Sequence, residues 1–235
     1  MSELFVSGIT PTEKKKQLLE SPDGRPYNIA DCFRTFTKEE LQKHIKSNAF
    51  QYGIMAINIE MCLNISNMIR TANLCGVKKM VLFGRRKFDG RGCVGAQNYV
   101  DIEKISGISN PDLIDFDDLT KTRVDEMLDE TVFLDYIKSN QLLPVFIEQD
   151  KFSKPANNAN IKNIILRSQE LNRMPIFILG NERFGIPKNI LDTRYKTDIS
   201  FTLELQQMGC IRSFNVANAC SILCYKIMEV FQELE

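Results

Sequence analysis

Histidine is almost absent from this sequence, and its cysteines form no metal-binding pattern. His44 is the one histidine, and none of the seven cysteines stands in a C-x-x-C pair or in a Cys/His cluster at the spacing of a zinc site. The chain is therefore predicted to hold no metal. Scattered cysteines of this kind are typical of small core residues in a reducing compartment, so we expect a cytoplasmic protein.

Long apolar runs and an excess of either charge are also missing. No run approaches the roughly 20 apolar residues that a membrane helix needs, and residues 1–5 lack the basic start and apolar stretch of a signal peptide. These absences predict a protein that does not cross a membrane. Lysine plus arginine number 30, as do aspartate plus glutamate, so any surface for nucleic acid must be local.

The length and the early sequence predict two parts. A chain of 235 residues fits one sizeable α/β domain with an extension, or two small domains. Helix-capping signatures at Thr10 to Glu13 and at Thr37 to Glu40 predict two short, half-polar helices. We therefore expect an N-terminal helical extension over residues 1–50 and a main domain over 51–235.

One segment of the main domain is strongly acidic. Residues 112–130 hold eight acidic residues against Lys121 and Arg123, which leaves a net charge of −6. The rest of the chain then carries +6, since the formal net charge of the whole chain is zero. Because exposed carboxylates prefer water to a packed core, the segment predicts a solvated insertion.

Strand and helix patterns alternate along the main domain. The predicted strands are 54–58, 79–83, 99–105, 143–147 and 175–180; the predicted helices are 65–74, 131–140, 161–171 and a last one from 216; and 151–160 is predicted to be a loop. Such alternation predicts an α/β fold with a mostly parallel sheet and helices on both faces. Ligands of such sheets bind beyond the carboxyl ends of the strands, where residues 58–70, 180–185 and 205–215 are expected.

A glycine-rich stretch has the letters of a nucleotide-binding loop without its context. Residues 90–95 match G-x-G-x-x-G, but six residues separate them from the preceding strand and a strand-like pattern follows. The stretch overlaps a basic cluster of six residues, Lys78, Lys79, Arg85, Arg86, Lys87 and Arg91. That cluster is either a solvated face or a contact for a phosphate backbone.

The start of the last helix suits a polar or anionic ligand. Apolar residues recur at helical spacing from 216 to 231, and Ser213 and Asn215 just before them are both good N-cap residues. A helix start carries unpaired N–H groups and a partial positive charge. Taken alone, residues 209–219 indicate a capped C-terminal helix.

Three stretches of the sequence gain meaning when they are taken together. Asn64 and Arg70 stand in the pattern N-x-x-x-x-x-R-T-A, Gly180 and Glu182 stand in L-G-x-E-x-x-G, and residues 209–219 follow G-x-x-x-S-L-N-V with Phe214 in place of leucine. In this order the stretches resemble the motifs of the SpoU/TrmH branch of the SPOUT superfamily, which are RNA ribose 2′-O-methyltransferases. The resemblance covers residues 51 to 235.

The resemblance implies a fold, a cofactor and an assembly. It implies a deep C-terminal trefoil knot, and S-adenosylmethionine held by backbone at Gly180, Leu205 and Phe214. Leu205 departs from the isoleucine usual there, and a backbone contact tolerates that change. The family is normally a homodimer that uses the last helix. We expect the apolar face of 216–231 to join two subunits, although the same face suits the core.

The resemblance also assigns the chemistry, in which a ribose 2′-hydroxyl attacks the cofactor methyl group. Arg70 matches the family's catalytic arginine. A guanidinium is a reluctant base because its pKa exceeds about 12, so an anchor for phosphate and hydroxyl is the safer role, with a phosphate oxygen or water as proton acceptor. Apolar neighbours of Arg70 favour a functional arginine over one that only faces solvent.

The other predicted catalytic residues each keep more than one possible role. Asn64 lies too far from Arg70 to share its helical face, so it caps that helix or contacts Arg70 or RNA. Glu182 orients Arg70, pairs with it, or holds the loop around it. Ser213 and Asn215 bind an RNA phosphate or the cofactor region, or they cap the last helix.

The predicted function is therefore methylation of an RNA ribose. Residues 206–213 resemble the members that methylate a guanosine ribose in the tRNA D-loop, which makes tRNA the expected substrate and rRNA the alternative. Two other hypotheses stay open: an inactive RNA-binding module of the same fold, and a nicotinamide-dependent oxidoreductase built on residues 90–95.

Overall fold

A computed structural model describes residues 28–34, 36–84, 87–108 and 128–235. In these residues the strands are β1 (Phe50–Ile57), β2 (Val77–Phe83), β3 (Ile102–Ile105), β4 (Leu142–Ile147), β5 (Lys154–Pro155), β6 (Met174–Leu179) and β7 (Phe201–Glu204). The helices are α1 (Lys38–Ser47), α2 (Cys62–Leu74), α3 (Glu130–Ser139), α4 (Asn158–Glu170), α5 (Lys188–Leu191) and α6 (Val216–Leu234). Short 3₁₀ turns cover Asp31–Phe33, Ala96–Asn98 and Asp192–Tyr195.

The strands form one sheet of parallel pairs in the order β3-β2-β1-β6-β4-β7-β5. From β1 the chain moves outward through β2 to β3, and it then builds the other half of the sheet. The order therefore reverses between β1 and β6, which is the kind of switch point where α/β sheets bind ligands. The predicted α/β class with a parallel sheet is confirmed.

Helices cover both faces of the sheet. The side chains of a strand alternate between faces, and in β1 Ile54 and Ala56 pack in the core with α2, α4 and α6, whereas Met55 and Ile57 pack in the core with α3 and α5. Because neither face meets solvent, β1 is buried from Tyr52 to its end.

The apolar side of α6 belongs to the core of its own subunit. The buried residues of this helix are Val216, Ala217, Cys220, Leu223, Cys224, Ile227 and Val230. Near its end, the ring of Phe231 stacks on Phe50 and Tyr52 with centroids 5.0 and 5.7 Å apart. The prediction that this face joins two subunits is therefore wrong, because the sheet, α2 and α4 already cover it.

Helix α1 packs against the main body. Its predicted capping box is confirmed, since Thr37 Oγ1 accepts from Glu40 N at 3.2 Å and Glu40 Oε2 accepts from Thr37 N at 2.9 Å. Leu41 is buried, and Gln42 Nε2 donates to the Asn98 carbonyl at 2.8 Å. The helix predicted after Thr10 lies outside the described residues.

The acidic segment ends inside the fold. Residues 109–127 lie outside the described part of the chain, but Leu128 is buried in the core. Asp129 is the N-cap of α3 and accepts from Thr131 N at 2.7 Å. The count of acidic residues does not predict that the segment ends in the folded domain, because a capping aspartate and an exposed one look alike in the sequence.

Several predicted elements have different limits in the structure, among them one loop and one strand. The predicted loop 151–160 contains β5, and α4 begins there after its cap Asn157. The edge strand β5 has only two residues, which is too short for the alternation of apolar and polar residues that predicts a strand. The predicted strand 99–105 begins only at Ile102, because a 3₁₀ turn precedes it.

Candidate functional site

The three motif stretches meet at one edge of the sheet. Asn58 follows β1, Gly180 follows β6 and Leu205 follows β7, and the carboxyl ends of parallel strands lie side by side. The predicted placement of 58–70, 180–185 and 205–215 beyond these ends is confirmed.

A cavity of about 380 Å³ opens at this edge. Its walls come from the segments after β4, β6 and β7 and from the start of α6. Among the lining residues are the predicted cofactor contacts Gly180, Leu205 and Phe214, together with Glu182 and Ser213. The volume lies in the range of small-molecule sites, about 300–1,000 Å³.

One wall of the cavity is a tight turn over residues 180–186. A side chain at Gly180 would overlap the backbone of Gly185 and Ile186. Gly185 has φ +70°, and a Cβ there would lie 2.5 Å from Glu148 Oε2. Glycine is thus required at both positions, because the backbone doubles back on itself and packs against a carboxylate.

Two side chains that the sequence did not single out hold this turn. Asn181 is buried; its Oδ1 accepts from Arg183 N at 2.8 Å and Phe184 N at 3.1 Å, and its Nδ2 donates to the Asn58 carbonyl at 2.9 Å. Glu148 Oε2 accepts from Ile186 N at 2.9 Å. Their only sequence signal is position, since each stands within two residues of the end of a buried strand.

Glu182 caps helix α2 from another part of the chain. Its carboxylate accepts from Glu60 N at 2.9 Å, from Met61 N at 3.1 Å and from Asn64 Nδ2 at 2.8 Å. A carboxylate at a helix start also opposes the positive end of the helix dipole. Of the predicted roles for Glu182, holding the chain around it is the one that this geometry fits.

Asn64 is a link between two helices and not a cap. The N-cap of α2 is Met61, whose side chain makes no capping bond, and Asn64 is the third residue of the helix. Besides donating to Glu182, the buried Asn64 side chain accepts from Asn215 Nδ2 at 3.2 Å. The prediction that Asn64 caps its helix is therefore wrong.

Asn215 caps α6, as predicted. Its Oδ1 accepts from Ala217 N at 2.9 Å and from Asn218 N at 3.3 Å. Ser213 is exposed and makes no capping bond. The side chains of Glu182, Asn64 and Asn215 thus form a polar chain that contains one residue from each motif stretch and ends on the first turn of α6.

Arg70 lies on the solvent side of α2. Its neighbours Met68 and Ile69 are buried while Arg70 is exposed, so its apolar surroundings in the sequence do not reflect its environment. Its guanidinium makes no ion pair with any residue in the described part of the chain, and it does not line the cavity. The predicted contact with Glu182 is absent from this structure.

The glycine-rich stretch packs against α2. Ser66 Oγ donates to the Asp89 carbonyl at 2.6 Å, and a Cβ on Gly92 would lie 2.8 Å from that of Ser66. Arg91 binds Asp89, and these hydrogen bonds lower the pKa of the Asp89 carboxyl. A 3₁₀ turn follows instead of the helix that a dinucleotide fingerprint needs. Arg85 and Arg86 of the basic cluster lie outside the described residues.

The described residues offer neither a metal cluster nor a membrane span. Among them, no group of three or more histidine, cysteine, aspartate or glutamate side chains is placed to hold a metal ion. None of the helices described is long and apolar enough to cross a bilayer.

No protein-family model matches the sequence, and no curated protein matches it. Solved structures do. A TrmH/SpoU tRNA modifying enzyme from A. aeolicus matches at 17% identity with a TM-score of 0.59, over 85% of this chain and 86% of that chain. The SpoU methyltransferase AviRb from Streptomyces viridochromogenes, in complex with the cofactor AdoMet, matches at 15% and 0.52, over 80% and 59%. An AdoMet-bound rRNA methyltransferase from Sinorhizobium meliloti matches at 16% and 0.53, over 81% and 60%.

At identities this low, the structural matches establish the fold alone. That fold agrees with the sequence resemblance. The chain has the α/β fold of solved SpoU and TrmH-type methyltransferases. The trefoil knot stays a prediction.

Proposed function

We propose that this chain is an S-adenosylmethionine-dependent RNA ribose 2′-O-methyltransferase of the SpoU/TrmH kind. The observation that carries the proposal is the polar chain through Glu182, Asn64 and Asn215, which joins the three motif stretches beside one cavity. Three stretches that are distant in sequence yet linked through their motif side chains support one site. The shared fold with methyltransferases of known structure adds to this support.

The cavity fits a cofactor of this class. The turn at Gly180 lines one wall, and half-buried carboxylates at Glu148, Glu182 and Glu204 suit a ligand with a positive sulfonium group. Gly180, Leu205 and Phe214 are the residues that would hold it. When bound, S-adenosylmethionine supplies an electrophilic methyl group.

The chain's own residues position the nucleophile and leave its proton to water or to a phosphate oxygen. A ribose hydroxyl is a poor nucleophile at neutral pH and gains most from being held in line with the methyl carbon. Arg70 would hold a phosphate next to that hydroxyl, because its exposed guanidinium is a permanent cation without a protein partner in the described residues. Ser213, exposed on the cavity wall, would donate to the same phosphate.

Glu182, Asn64 and Asn215 would act by positioning. Their hydrogen bonds fix the starts of α2 and α6 relative to the turn over 180–186. Arg70 lies two turns along α2 from that start. The polar chain would therefore set where the arginine stands relative to the cavity.

The proposed substrate is tRNA, with a guanosine of the D-loop as the target nucleotide and rRNA as the alternative. The resemblance of residues 206–213 supports this choice, and Gln207 and Arg212 of that segment line the cavity. We further propose a cytoplasmic enzyme in which residues 1–50 extend a catalytic domain over 51–235.

The proposed assembly is a homodimer through the outer side of α6. Ile222 and Tyr225 remain 37% and 54% exposed on that helix. Leu74 is 69% exposed on α2, which packs against α6. Sedimentation of the full chain tests this, and a Tyr225→Glu change should shift a dimer toward monomer.

The proposed function is tested by methyl transfer from labelled S-adenosylmethionine to unfractionated tRNA, followed by nucleoside analysis for 2′-O-methyl products. Arg70→Ala should abolish transfer while leaving the fold and cofactor affinity close to those of the parent. Arg167→Ala, which removes an exposed arginine from α4, is the matched control and should keep activity. An Arg70→Ala variant that methylates as well as the parent contradicts the role given to Arg70.

A second candidate is an RNA-binding module of the same fold without activity, favoured by the position of Arg70 outside the cavity. Calorimetry with S-adenosylmethionine separates the two. Binding supports the enzyme, and no binding up to millimolar cofactor supports the module.

A further inference from the structure

The acidic and basic side chains that line the cavity differ in burial. The acidic lining residues Glu148, Glu182 and Glu204 are half-buried, and the first two carboxylates accept hydrogen bonds from backbone N–H groups. The basic lining residues are all exposed: Arg183, Lys188 and Arg212. A cationic ligand therefore suits the interior, whereas the rim suits an anion.

Phe184 stands on this rim with 62% of its surface exposed. It belongs to the turn over 180–186, where Asn181 Oδ1 accepts from Phe184 N and from Arg183 N. Because Asn181 is buried and tied to the end of β1, the turn cannot shift freely. A large aromatic ring that is held out in water by a rigid turn is preorganised for stacking.

The segment after β7 presents further exposed apolar surface. Ile211 is 75% exposed, and Phe214 is 42% exposed where it lines the cavity. Exposed aromatic rings from two segments, Phe184 and Phe214, thus line the cavity together with exposed cations. An unpaired nucleotide has the matching chemistry, a flat apolar base joined to an anionic backbone.

We propose that this rim docks an unstacked RNA nucleotide at the mouth of the cavity, with its base on Phe184 and its phosphates on Arg183, Lys188 and Arg212. The inference rests on the proposed function and assigns the RNA contacts of that same site. The target proposed above lies in a loop, where bases can leave the stack, and a base that is splayed out needs a surface that replaces its lost stacking. Arg183 is free to reorient, since its 3.5 Å contact with Glu60 is long and 74% of its side chain is exposed.

The binding test uses the full chain saturated with S-adenosylhomocysteine, so that no turnover occurs, and fluorescent unfractionated tRNA as the probe. Phe184→Leu keeps an apolar side chain and removes the aromatic face. It should weaken RNA binding about tenfold, as loss of one base–aromatic stack does. Phe184→Trp should restore most of the affinity. Arg212→Gln should weaken binding and lower the slope of log affinity against log salt by roughly 0.7–0.9.

Three results would overturn the inference. The first is RNA affinity of Phe184→Leu equal to that of the parent. The second is loss of cofactor affinity in calorimetry with RNA affinity unchanged, which would make Phe184 a cofactor contact. The third is a change in sedimentation alone, which would make the rim a contact between two copies of the chain.

A failure of the proposed function looks different. In that case the unmodified chain would bind no S-adenosylmethionine and transfer no methyl group. If it does both while Phe184→Leu and Arg212→Gln bind RNA as the parent does, only the inference about the rim fails.

Discussion

Helices α2 and α6 both start beside the cavity, but their first turns are satisfied in different ways. Asn215 caps α6 with its own side chain, through Ala217 N and Asn218 N. Met61 gives α2 no such cap, and Glu182, more than a hundred residues further along, accepts from Glu60 N and Met61 N in its place. The α6 cap can form with local chain alone, whereas the α2 cap needs the turn after β6.

This difference makes the start of α2 conditional on the rest of the site. A self-capped helix keeps its start when distant parts move, but a helix capped from afar is fixed only when those parts are in place. Asn64 connects the two cases, because it binds Glu182 on one side and Asn215 on the other. The variants below rank the capping side chains by how much the fold depends on them.

The largest loss of stability is expected for Glu182→Ala. The change leaves two backbone N–H groups and the buried Asn64 amide without an acceptor, which should cost about 3 kcal/mol. Urea unfolding followed by circular dichroism measures it. Glu182→Gln is the control, and it should lose about 1.5 kcal/mol because an amide oxygen can still accept a neutral hydrogen bond. Equal stability of Glu182→Ala and the parent contradicts the remote cap.

Asn64→Ala should come next, at about 2 kcal/mol. The change removes both links of a side chain that is 6% exposed and leaves Glu182 with one acceptor site unfilled. The unfolding free energy in urea is again the measurement. Because α2 also carries Arg70, methyl transfer should fall more than cofactor affinity does. An unchanged rate of methyl transfer would show that Asn64 does not help to position the site.

Asn215→Ala should cost about 1 kcal/mol, the usual loss for an N-cap. Asn215→Asp keeps the cap, because a carboxylate accepts as well as an amide does and opposes the helix dipole, but it loses the donor to Asn64 and should recover only part of the stability. Thermal unfolding ranks the two. A loss for Asn215→Ala that exceeds that of Glu182→Ala would reverse the comparison between the helices.

The smallest effect is expected for Thr37→Ala in the capping box of α1, about 0.5 kcal/mol, since both hydrogen bonds are exposed and water can replace them. Methyl transfer should not change, because α1 supplies no residue to the cavity. A clear loss of transfer with the fold intact would show that α1 takes part in the site.

The sequence predicts contacts between residues that are close in the chain better than contacts between distant ones. The cap at Asn215 and the capping box at Thr37 were found because donor and acceptor lie within three residues of each other. The strands at the centre of the sheet were found because they are apolar along nearly their whole length. The edge strand β5 was missed because two residues carry no periodicity.

Local sequence patterns could not predict the contacts that build the site. The motifs identified Asn64 and Glu182, but their bond joins residues 118 positions apart and only the folded chain brings them together. Asn181 and Glu148 were missed because an asparagine and a glutamate after a strand also look like ordinary loop residues. The apolar neighbours of Arg70 in the sequence do not surround it in the structure, because the helical period places its side chain on the solvent side of α2.

The most direct test of this account is a double-mutant cycle between Glu182→Gln and Asn215→Ala. If Asn64 transmits between the two helix starts, the free energies of unfolding should be non-additive by about 0.5–1 kcal/mol, and cofactor affinity should show coupling of the same sign. Additivity within about 0.3 kcal/mol in both measurements would contradict the claim that the three motif stretches form one connected site.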